Sequence, residues 1–469
     1  MSIRTLLLAA LAAATTSALR AASPCSGPVP CTTRRGRGRS ASPQMLLDTL
    51  TANDEASFKK SPAEFCSARV QKQGLTFSTT AFGGAVLAGD DAALALVLGE
   101  GAELEEPEAL LGEPFAGTSE TYDAVSEAFN RACYEELFEW IPKWKEAAGF
   151  STFRFDDFLD PRVRGVRSSV RRLMLRATMP LTLGVSWADA VTLVESEALA
   201  SVGVSKIGDL VALYDSFAKG QAGGLAGQFS RLTGGGSEAK LQSALATIAG
   251  GGDGAALLRR VFSSVEQSTA LVCNMMSSTV THEDWDRKLE AEQRVALDGH
   301  PPQEQIGAVQ LAAMPKLRAF TQETLRLLPP ARPSRLRLRT ALGELAPGTL
   351  LQPEPFIAHL RADTYPDPGR FDPTRFVQAE GEGGGQGAQP PPRLGFAGPA
   401  QGGAGAELAT ALAQATFVQM RRMFELRLGK QPPFVPSGFP LSSIPEGCEV
   451  LAEARMYYEL KRENKKLRF

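Results

Sequence analysis

The side chains of this sequence that could do chemistry are few and widely spaced. The cysteines and histidines are Cys25, Cys31, Cys66, Cys133, Cys273, Cys448, His282, His300 and His359. Their spacing fits neither a zinc site nor a dense disulfide framework, and no metal site is predicted. A charged pair remains, because Glu323 and Arg326 stand three residues apart and share one face of a helix. Such pairs are common as solvated surface charges, so the meaning of this one depends on the sequence around it.

The pair lies within residues 314–339, and the first part of this stretch has a helical pattern. Its apolar face is formed by Leu317, Phe320, Leu325 and Leu328. Pro329 and Pro330 stop the helix. Two short strands follow, in RLRLRT (335–340) and PGTLLQPEPF (347–356), and a proline-rich stretch then leads to FDPTRF (371–376).

Composition and charge describe an ordinary globular protein. The chain has 469 residues, of which 43% are hydrophobic and 22% charged, and its net charge is −2. Six of the 50 basic residues are arginines in the first 47 positions, where there is no acidic residue. The remaining body therefore has 44 bases against 52 acids, which disfavours a nucleic-acid partner.

Residues 1–47 have the composition of a targeting leader. Residues 1–24 combine Arg4, an apolar run over 6–14 and a stretch of small residues, which is the plan of a secretory signal peptide. The following segment is rich in Arg and Ser and lacks acids, as transit peptides do. Together they resemble the bipartite leader of algal plastids that are reached through the endoplasmic reticulum. The alternative is a membrane anchor at the endoplasmic reticulum, although the run is too short to span a bilayer and no other segment is predicted to span one.

The first half of the body is predicted to be mainly helical after a small strand region. Short strands with a turn at Gly83-Gly84 lead into a helix that contains Leu94. Residues 121–148 have a long helical pattern, and residues 153–204 are predicted to be helix broken near Pro161 and Pro180. Three glycine-rich linkers within residues 219–254 interrupt helical pieces, and these linkers and a second glycine-rich tract, 380–392, are predicted to be surface loops.

A strong apolar helix is predicted over residues 257–282. A charged helix follows over 282–295, with Trp285, Leu289 and Val295 predicted to face inward. The order of these elements, the Glu-x-x-Arg helix, the small strands and FDPTRF resembles the cytochrome P450 (haem-thiolate monooxygenase) family over about residues 60–460. This resemblance implies a mainly α fold with small β regions (α+β), the cytochrome P450 fold. Residues 48–469 would form a single domain after the leader.

The resemblance assigns roles to particular residues. Glu323, Arg326 and Arg375 match the family's buried charge triad, which holds the fold around the haem. Phe396 and Gly405 match the haem-binding loop, together with Leu408 and Ala409 of the helix after it. The position of the axial cysteine is occupied by Gly403, which has no side chain to bind iron.

Two further haem-site positions also differ from the family pattern. Glu266 matches the acid that serves oxygen protonation on the long helix, but Gln267 stands where the family has threonine, with Ser268 adjacent. The helix after Gly117 supplies no basic contact to a haem propionate, and Arg335 or Arg337 is expected to take that role.

Two functions follow from this resemblance. The first is a plastid haem oxidoreductase or monooxygenase that acts on a lipophilic substrate with a redox partner. The second is a catalytically inactive scaffold, a pseudoenzyme that binds an apolar ligand or a partner without thiolate-bound haem. A mis-assembled gene is a third interpretation, because the haem loop adjoins low-complexity glycine sequence.

Overall fold

The structure is a computed structural model, which describes most of the sequence between Asp54 and Arg455. The described residues are 54, 57–58, 61–80, 84–98, 102–104, 111–115, 120–140, 162–221, 235–300, 304–333, 335–377, 394–396, 404–428, 443–444 and 447–455. Their contacts divide the chain into two compact units. The smaller unit comprises residues up to Glu105 and Arg335–Arg370, and the larger one comprises Glu106–Ser334 and Phe371–Phe469.

The helices and strands follow the predicted order. The helices are α1 Pro62–Gln73, α2 Asp91–Leu98, α3 Tyr122–Phe138, α4 Val166–Leu183, α5 Trp187–Glu195, α6 Ile207–Gln221, α7 Gly235–Ile248, α8 Gly254–Thr281, α9 Glu283–Ala296, α10 Ala308–Ala312, α11 Pro315–Leu327, α12 Pro355–Ala358 and α13 Ala404–Met423. The strands are β1 Thr76–Ser78, β2 Val86–Ala88, β3 Ala102–Leu104, β4 Arg162–Gly165, β5 Leu336–Leu338, β6 Leu350–Pro353, β7 Phe424–Leu428 and β8 Glu449–Ala454. Short 3₁₀ helices span Ala200–Val202 and Pro373–Phe376.

The smaller unit is built on a five-stranded sheet in the order β1-β2-β6-β5-β3. β1 and β2 form the predicted antiparallel pair, with Phe77 opposite Leu87. β2 then pairs in parallel with β6. Leu336 and Leu338 of β5 point into a small apolar core while Arg337 between them is exposed, as the alternating RLRLR sequence predicts.

The larger unit is mainly helical and is organised around α8. The 28 residues of α8 begin after Asp253, whose side chain accepts a hydrogen bond from the Ala255 N–H and caps the helix. Almost every side chain from Leu258 to Thr279 is buried, because α4, α7, α11 and α13 all pack against this helix. A helix that is buried all round occupies a core, and this one carries polar groups into that core. β4, β8 and β7 form a three-stranded antiparallel sheet in the same unit.

One local prediction is displaced and another is wrong. The helix break predicted near Pro180 lies at residues 184–186, between α4 and α5. Pro180 does not break its helix: α4 continues to Leu183 and ends at Gly184, whose φ of 72° gives the left-handed C-terminal cap. Val295 does not face inward but is 80% exposed. Glu292 and Gln293, one turn after Leu289, occupy the buried face instead.

Parts of other predicted segments lie outside the described residues. These are residues 141–148 and 153–161, much of both glycine-rich tracts, and the leader. Within the described part of the chain, no single helix is long and apolar enough to cross a membrane. α4 and α5 meet that criterion of length and composition only as a pair, which is bent by 92°.

Candidate cofactor site

Glu266 of α8 lies in a buried ion-pair network. Arg171 of α4 donates from Nε to Glu266 Oε1 at 2.8 Å and from a terminal nitrogen to Oε2 at 3.2 Å. Arg167, one turn earlier on α4, approaches the same carboxylate at 3.7 Å. The Tyr214 hydroxyl of α6 donates to Oε1 at 3.3 Å. Both arginines and the glutamate are almost completely buried, so the Glu266 carboxylate is committed to α4 and α6 in this structure.

Sequence reasoning missed these partners of Glu266. The available signal was the spacing of Arg167 and Arg171, four residues apart in a helix that is otherwise largely apolar, VRSSVRRLMLRATMPLTL. Asp215 also accepts from Arg171 and so adds a second carboxylate. Burial raises the pKa of Tyr214 well above its usual value, and the nearby Glu266 adds to this shift, so the hydroxyl stays protonated as a donor.

Gln267, Ser263 and Ser264 of α8 form hydrogen bonds with residues 111–115, whereas Glu266 binds α4 and α6. The Gly112 N–H donates to Ser263 Oγ at 2.8 Å, and the Phe115 N–H donates to Ser264 Oγ at 2.9 Å. Gln267 returns a hydrogen bond from Nε2 to the Gly112 carbonyl at 2.8 Å. Three hydrogen bonds therefore join this short segment to α8, at the helical turn that precedes and includes the Glu266–Gln267 pair. The adjacent Ser268 Oγ is buried without a hydrogen-bond partner among the described residues.

The same segment also contacts the N-terminus of α13. The Gly405 N–H donates to the carboxylate of Glu113. A Cβ at position 405 would collide with the Pro114 carbonyl oxygen and lie 3.1 Å from Glu113 Oε1, so only glycine permits this approach. Burial raises the pKa of Glu113, and the Gly405 N–H opposes part of that shift.

The predicted haem loop is described only in part. Leu394 and Phe396 are buried, and the Ala331 N–H donates to the Gly395 carbonyl at 3.3 Å. Gly395 packs against Leu325 of α11, which places this part of the loop beside the helix of the charge pair. Gly403 lies outside the described residues. In the sequence, the stretch from Ala397 to Gly403 is AGPAQGG and contains neither cysteine nor histidine.

Glu323, Arg326 and Arg375 come together as a buried cluster. Arg326 donates from Nε and from a terminal nitrogen to the two oxygens of Glu323, both at 2.8 Å. Arg375 approaches Glu323 Oε1 from its Nε at 3.3 Å, and the Asp372 N–H donates to the same oxygen at 2.7 Å. The side chains of Glu323 and Arg326 have no exposed surface. Glu323 thus joins α11 to the FDPTRF segment through Asp372 and Arg375.

The last predicted site residue, Arg335, belongs to the smaller unit. It is half-buried and directly precedes β5. Its contact with a propionate stays a prediction.

The described thiols do not replace the missing axial ligand. Four cysteines are buried and form no disulfide among the described residues: Cys66, Cys133, Cys273 and Cys448. Cys133 of α3 lies 3.8 Å from Thr416 Oγ1, and burial raises its pKa to about 12, so it is a protonated core thiol. Among the described residues, no group of three or more His, Cys, Asp and Glu side chains is placed to hold a metal ion.

Comparison with known proteins identifies the fold and finds a match to a family model over part of the chain. The family model described as Cytochrome P450 matches residues 255–451. A solved structure, retinoic acid-bound cyanobacterial CYP120A1, is similar with a TM-score of 0.59 at 17% identity, over 86% of this chain and 96% of that one. The larger unit and the sheet of the smaller one thus belong to a cytochrome P450 fold.

A curated relative supports the same family. The cytochrome P450 monooxygenase dtpC of Aspergillus flavus is 41% identical over 66 residues, which are 14% of this chain and 36% of that relative's length. Residues 255–451 thus match the cytochrome P450 family model, and the chain has the cytochrome P450 fold.

The family implies a haem held by a cysteine thiolate, and the residues present do not fit that group. The sequence has glycine at the ligand position. In the structure, residues 111–115 bridge the turn of α8 at Ser263 and Ser264 to the first turn of α13, the two elements between which the family holds its haem. Glu266, which matches the family's acid, is bound by Arg171 and Tyr214.

A separate cleft of about 320 Å³ lies among α3, α4, α5 and α6. Its apolar surface comes from Trp140, Trp187, Val211 and neighbouring aliphatic side chains. Arg171 and Arg172 supply cationic groups, and each is already paired with a carboxylate. The volume lies at the lower end of the range of small-molecule sites, and the lining combines aromatic, aliphatic and charged side chains.

Proposed function

We propose that this protein is a non-catalytic member of the cytochrome P450 family, which keeps the scaffold as a binding protein for a small lipophilic molecule. The observation that carries the proposal is Gly403 at the position of the axial cysteine. The thiolate holds the iron in this family and donates the electron density that favours O–O cleavage, so a chain without it lacks the family's route to monooxygenation.

The test of lost thiolate chemistry is spectroscopic. The full chain, expressed with added haem precursor and purified, is reduced and exposed to carbon monoxide. We expect no red-shifted Soret band of the kind that thiolate ligation gives. A stoichiometric band at that position would overturn the proposal, because it would require a thiolate ligand in the folded protein.

The binding role is supported by the cleft and by a structural relative. CYP120A1 was solved with retinoic acid, a long apolar carboxylic acid. In this chain, two of the four tryptophans, Trp140 and Trp187, line the cleft and would report binding through their fluorescence. Retinoic acid is expected to quench that fluorescence saturably.

Two matched substitutions test whether the ligand binds in the cleft. Ala212→Phe, at the mouth of the cleft, is expected to weaken binding about tenfold or more, which corresponds to about 1.4 kcal/mol. Val309→Phe, at an exposed position of α10, should leave binding unchanged. Equal affinity in the two variants would exclude the cleft as the binding site.

A second candidate function is monooxygenation of a lipophilic substrate with a redox partner. Two observations favour it: the family model matches residues 255–451, and a relative over 66 residues is named as a monooxygenase. Substrate-dependent oxidation of a reduced nicotinamide by the purified protein with a reductase partner would support it, and the thiolate band described above would accompany it.

We also propose that the protein works in a plastid, on the basis of the signal-like and transit-like halves of residues 1–47. A fluorescent protein fused after residue 47 is expected to enter plastids in an algal host. Retention of the fusion at the endoplasmic reticulum would favour the membrane-anchor alternative.

A further inference from the structure

We propose that residues 111–115 act as a built-in plug that replaces the cofactor, with the Glu113 carboxylate as the anion at the N-terminus of α13 where family members have a thiolate. The inference rests on the proposed absence of thiolate-bound haem. It goes further because it states what fills the site and predicts that the chain folds without haem.

The first support is the way the plug is bound to α8. Ser263 and Ser264 accept the N–H groups of Gly112 and Phe115, and Gln267 donates to the Gly112 carbonyl. Buried backbone groups need such partners, since leaving one unpaired costs about 1–3 kcal/mol. These three side chains therefore satisfy the backbone of an irregular segment inside the core. Apolar residues at the same positions would leave the plug's backbone groups without partners.

The second support is the position of Glu113 at α13. The first N–H groups of a helix lack intrahelical acceptors, and the helix dipole favours an anion beside them. The Gly405 N–H, in the first turn of α13, donates to the Glu113 carboxylate. A cysteine at position 403 would directly precede this turn, where helix N-termini stabilise thiolates. Glu113 thus places a carboxylate, from another part of the chain, at the same end of the helix.

The third support is the backbone of the plug itself. Phe115 has a φ of 56°, a left-handed conformation that is unusual for a bulky side chain, and it is only 2% exposed. Such a conformation costs about 1–3 kcal/mol and persists only where the surroundings hold it. The Ser264 hydrogen bond and burial of the Phe115 ring supply that restraint, so the plug is fixed by both of its neighbours.

The experiment measures hydrogen exchange and thermal unfolding on the full chain, produced with and without haem precursor. Glu113→Ala removes the anion at α13, and Glu113→Gln keeps the shape but removes the charge. Glu127→Ala is the matched control, because Glu127 is an exposed glutamate that pairs only locally with Arg131 on α3. A triple variant, Ser263→Ala, Ser264→Ala and Gln267→Ala, releases the plug from α8.

We expect the wild type to melt at the same temperature whether or not haem precursor is supplied. Amides in the first turn of α13 should exchange about five- to tenfold faster in Glu113→Ala, with a smaller change in Glu113→Gln and none in the control. In the triple variant, faster exchange should be concentrated in residues 111–115. If one variant fails to fold, Glu113→Gln and the triple variant still test the two ends of the plug separately.

The outcomes separate this proposal from the proposed function. Unchanged exchange at α13 in Glu113→Ala, without a thiolate band in the wild type, overturns the plug and leaves the proposed function standing. A haem-dependent rise in melting temperature together with haem-induced protection of residues 111–115 also overturns the plug. A thiolate band in the wild-type protein overturns both.

Discussion

Arg171 and Glu266 form a bidentate ion pair across the interface between α4 and α8, with the side chains 1% and 0% exposed. The pair joins the acid that the family resemblance assigns to oxygen chemistry to a helix that the sequence did not connect with the site. A carboxylate bound by two guanidinium groups and a tyrosine hydroxyl is held in place. Its position agrees with a structural role for Glu266 in this chain.

Removing Glu266 should therefore reduce stability strongly. Glu266→Ala leaves Arg167 and Arg171 buried without their shared carboxylate, and breaking a buried pair in this way costs about 3–5 kcal/mol. Urea unfolding followed by circular dichroism measures the loss. The control is Glu127→Ala, which breaks an exposed pair with Arg131 and should cost less than about 1 kcal/mol. Similar losses in the two variants would mean that the buried network contributes little.

The sequence was sufficient to predict the framework of the fold. Long apolar periodicity predicted α8, and the resemblance of α8, α9, α11 and the following strands to the cytochrome P450 family implied the fold that the structural comparison shows. These features depend on local spacing, which a single sequence displays directly. The alternating burial of Leu336, Arg337 and Leu338 agrees with the strand predicted for RLRLRT.

The contacts that define the candidate site could not be read from the sequence. Gly112 and Ser263 are 151 residues apart, and Arg171 and Glu266 are 95 apart. Neither pair has a periodic signal, because each depends on how distant elements pack. Val295 was misplaced for a related reason: on an amphipathic helix its apolar side chain suggested burial, while the actual buried face carries Glu292 and Gln293.

The buried cluster of Glu323, Arg326 and Arg375 allows the effect of hydrogen-bond geometry on stability to be separated from the effect of charge. Arg326→Lys keeps the positive charge beside Glu323 but replaces a planar fork that makes two hydrogen bonds at 2.8 Å. Loss of a charge-assisted bond should lower the free energy of unfolding by about 1.5–3 kcal/mol. Arg375→Lys should cost less, because Arg375 contacts the same carboxylate from a longer distance of 3.3 Å. Urea midpoints compare the two variants, and an equal or reversed order would contradict the unequal roles.

His282 should make stability depend on pH. Burial lowers its pKa below the ordinary 6.5, although the Ser278 carbonyl, Asp284 and Glu323 partly oppose the shift. At pH values below 6.5, the unfolded chain binds the His282 proton more readily than the folded chain does. The free energy of unfolding therefore falls as the pH drops from 6.5 toward the lowered pKa. His282→Gln removes the titration. The wild type should lose more stability than this variant between about pH 7 and pH 5, as measured by urea unfolding. Parallel profiles would show that another group controls the effect.

A cysteine introduced at position 403 would test whether Glu113 already occupies the anion position of α13. Helix N-termini normally lower a thiol pKa below about 8.5, but a neighbouring carboxylate disfavours a second negative charge. In Gly403→Cys the new thiol should therefore keep an ordinary or raised pKa, and adding Glu113→Gln should lower it. Alkylation rates against pH, followed by mass spectrometry of the peptide that contains residue 403, report each pKa. The four described native thiols are buried and should react slowly. If the thiol pKa is the same with and without Glu113, the carboxylate does not act at this end of the helix, and the Gly405 contact would have no electrostatic consequence.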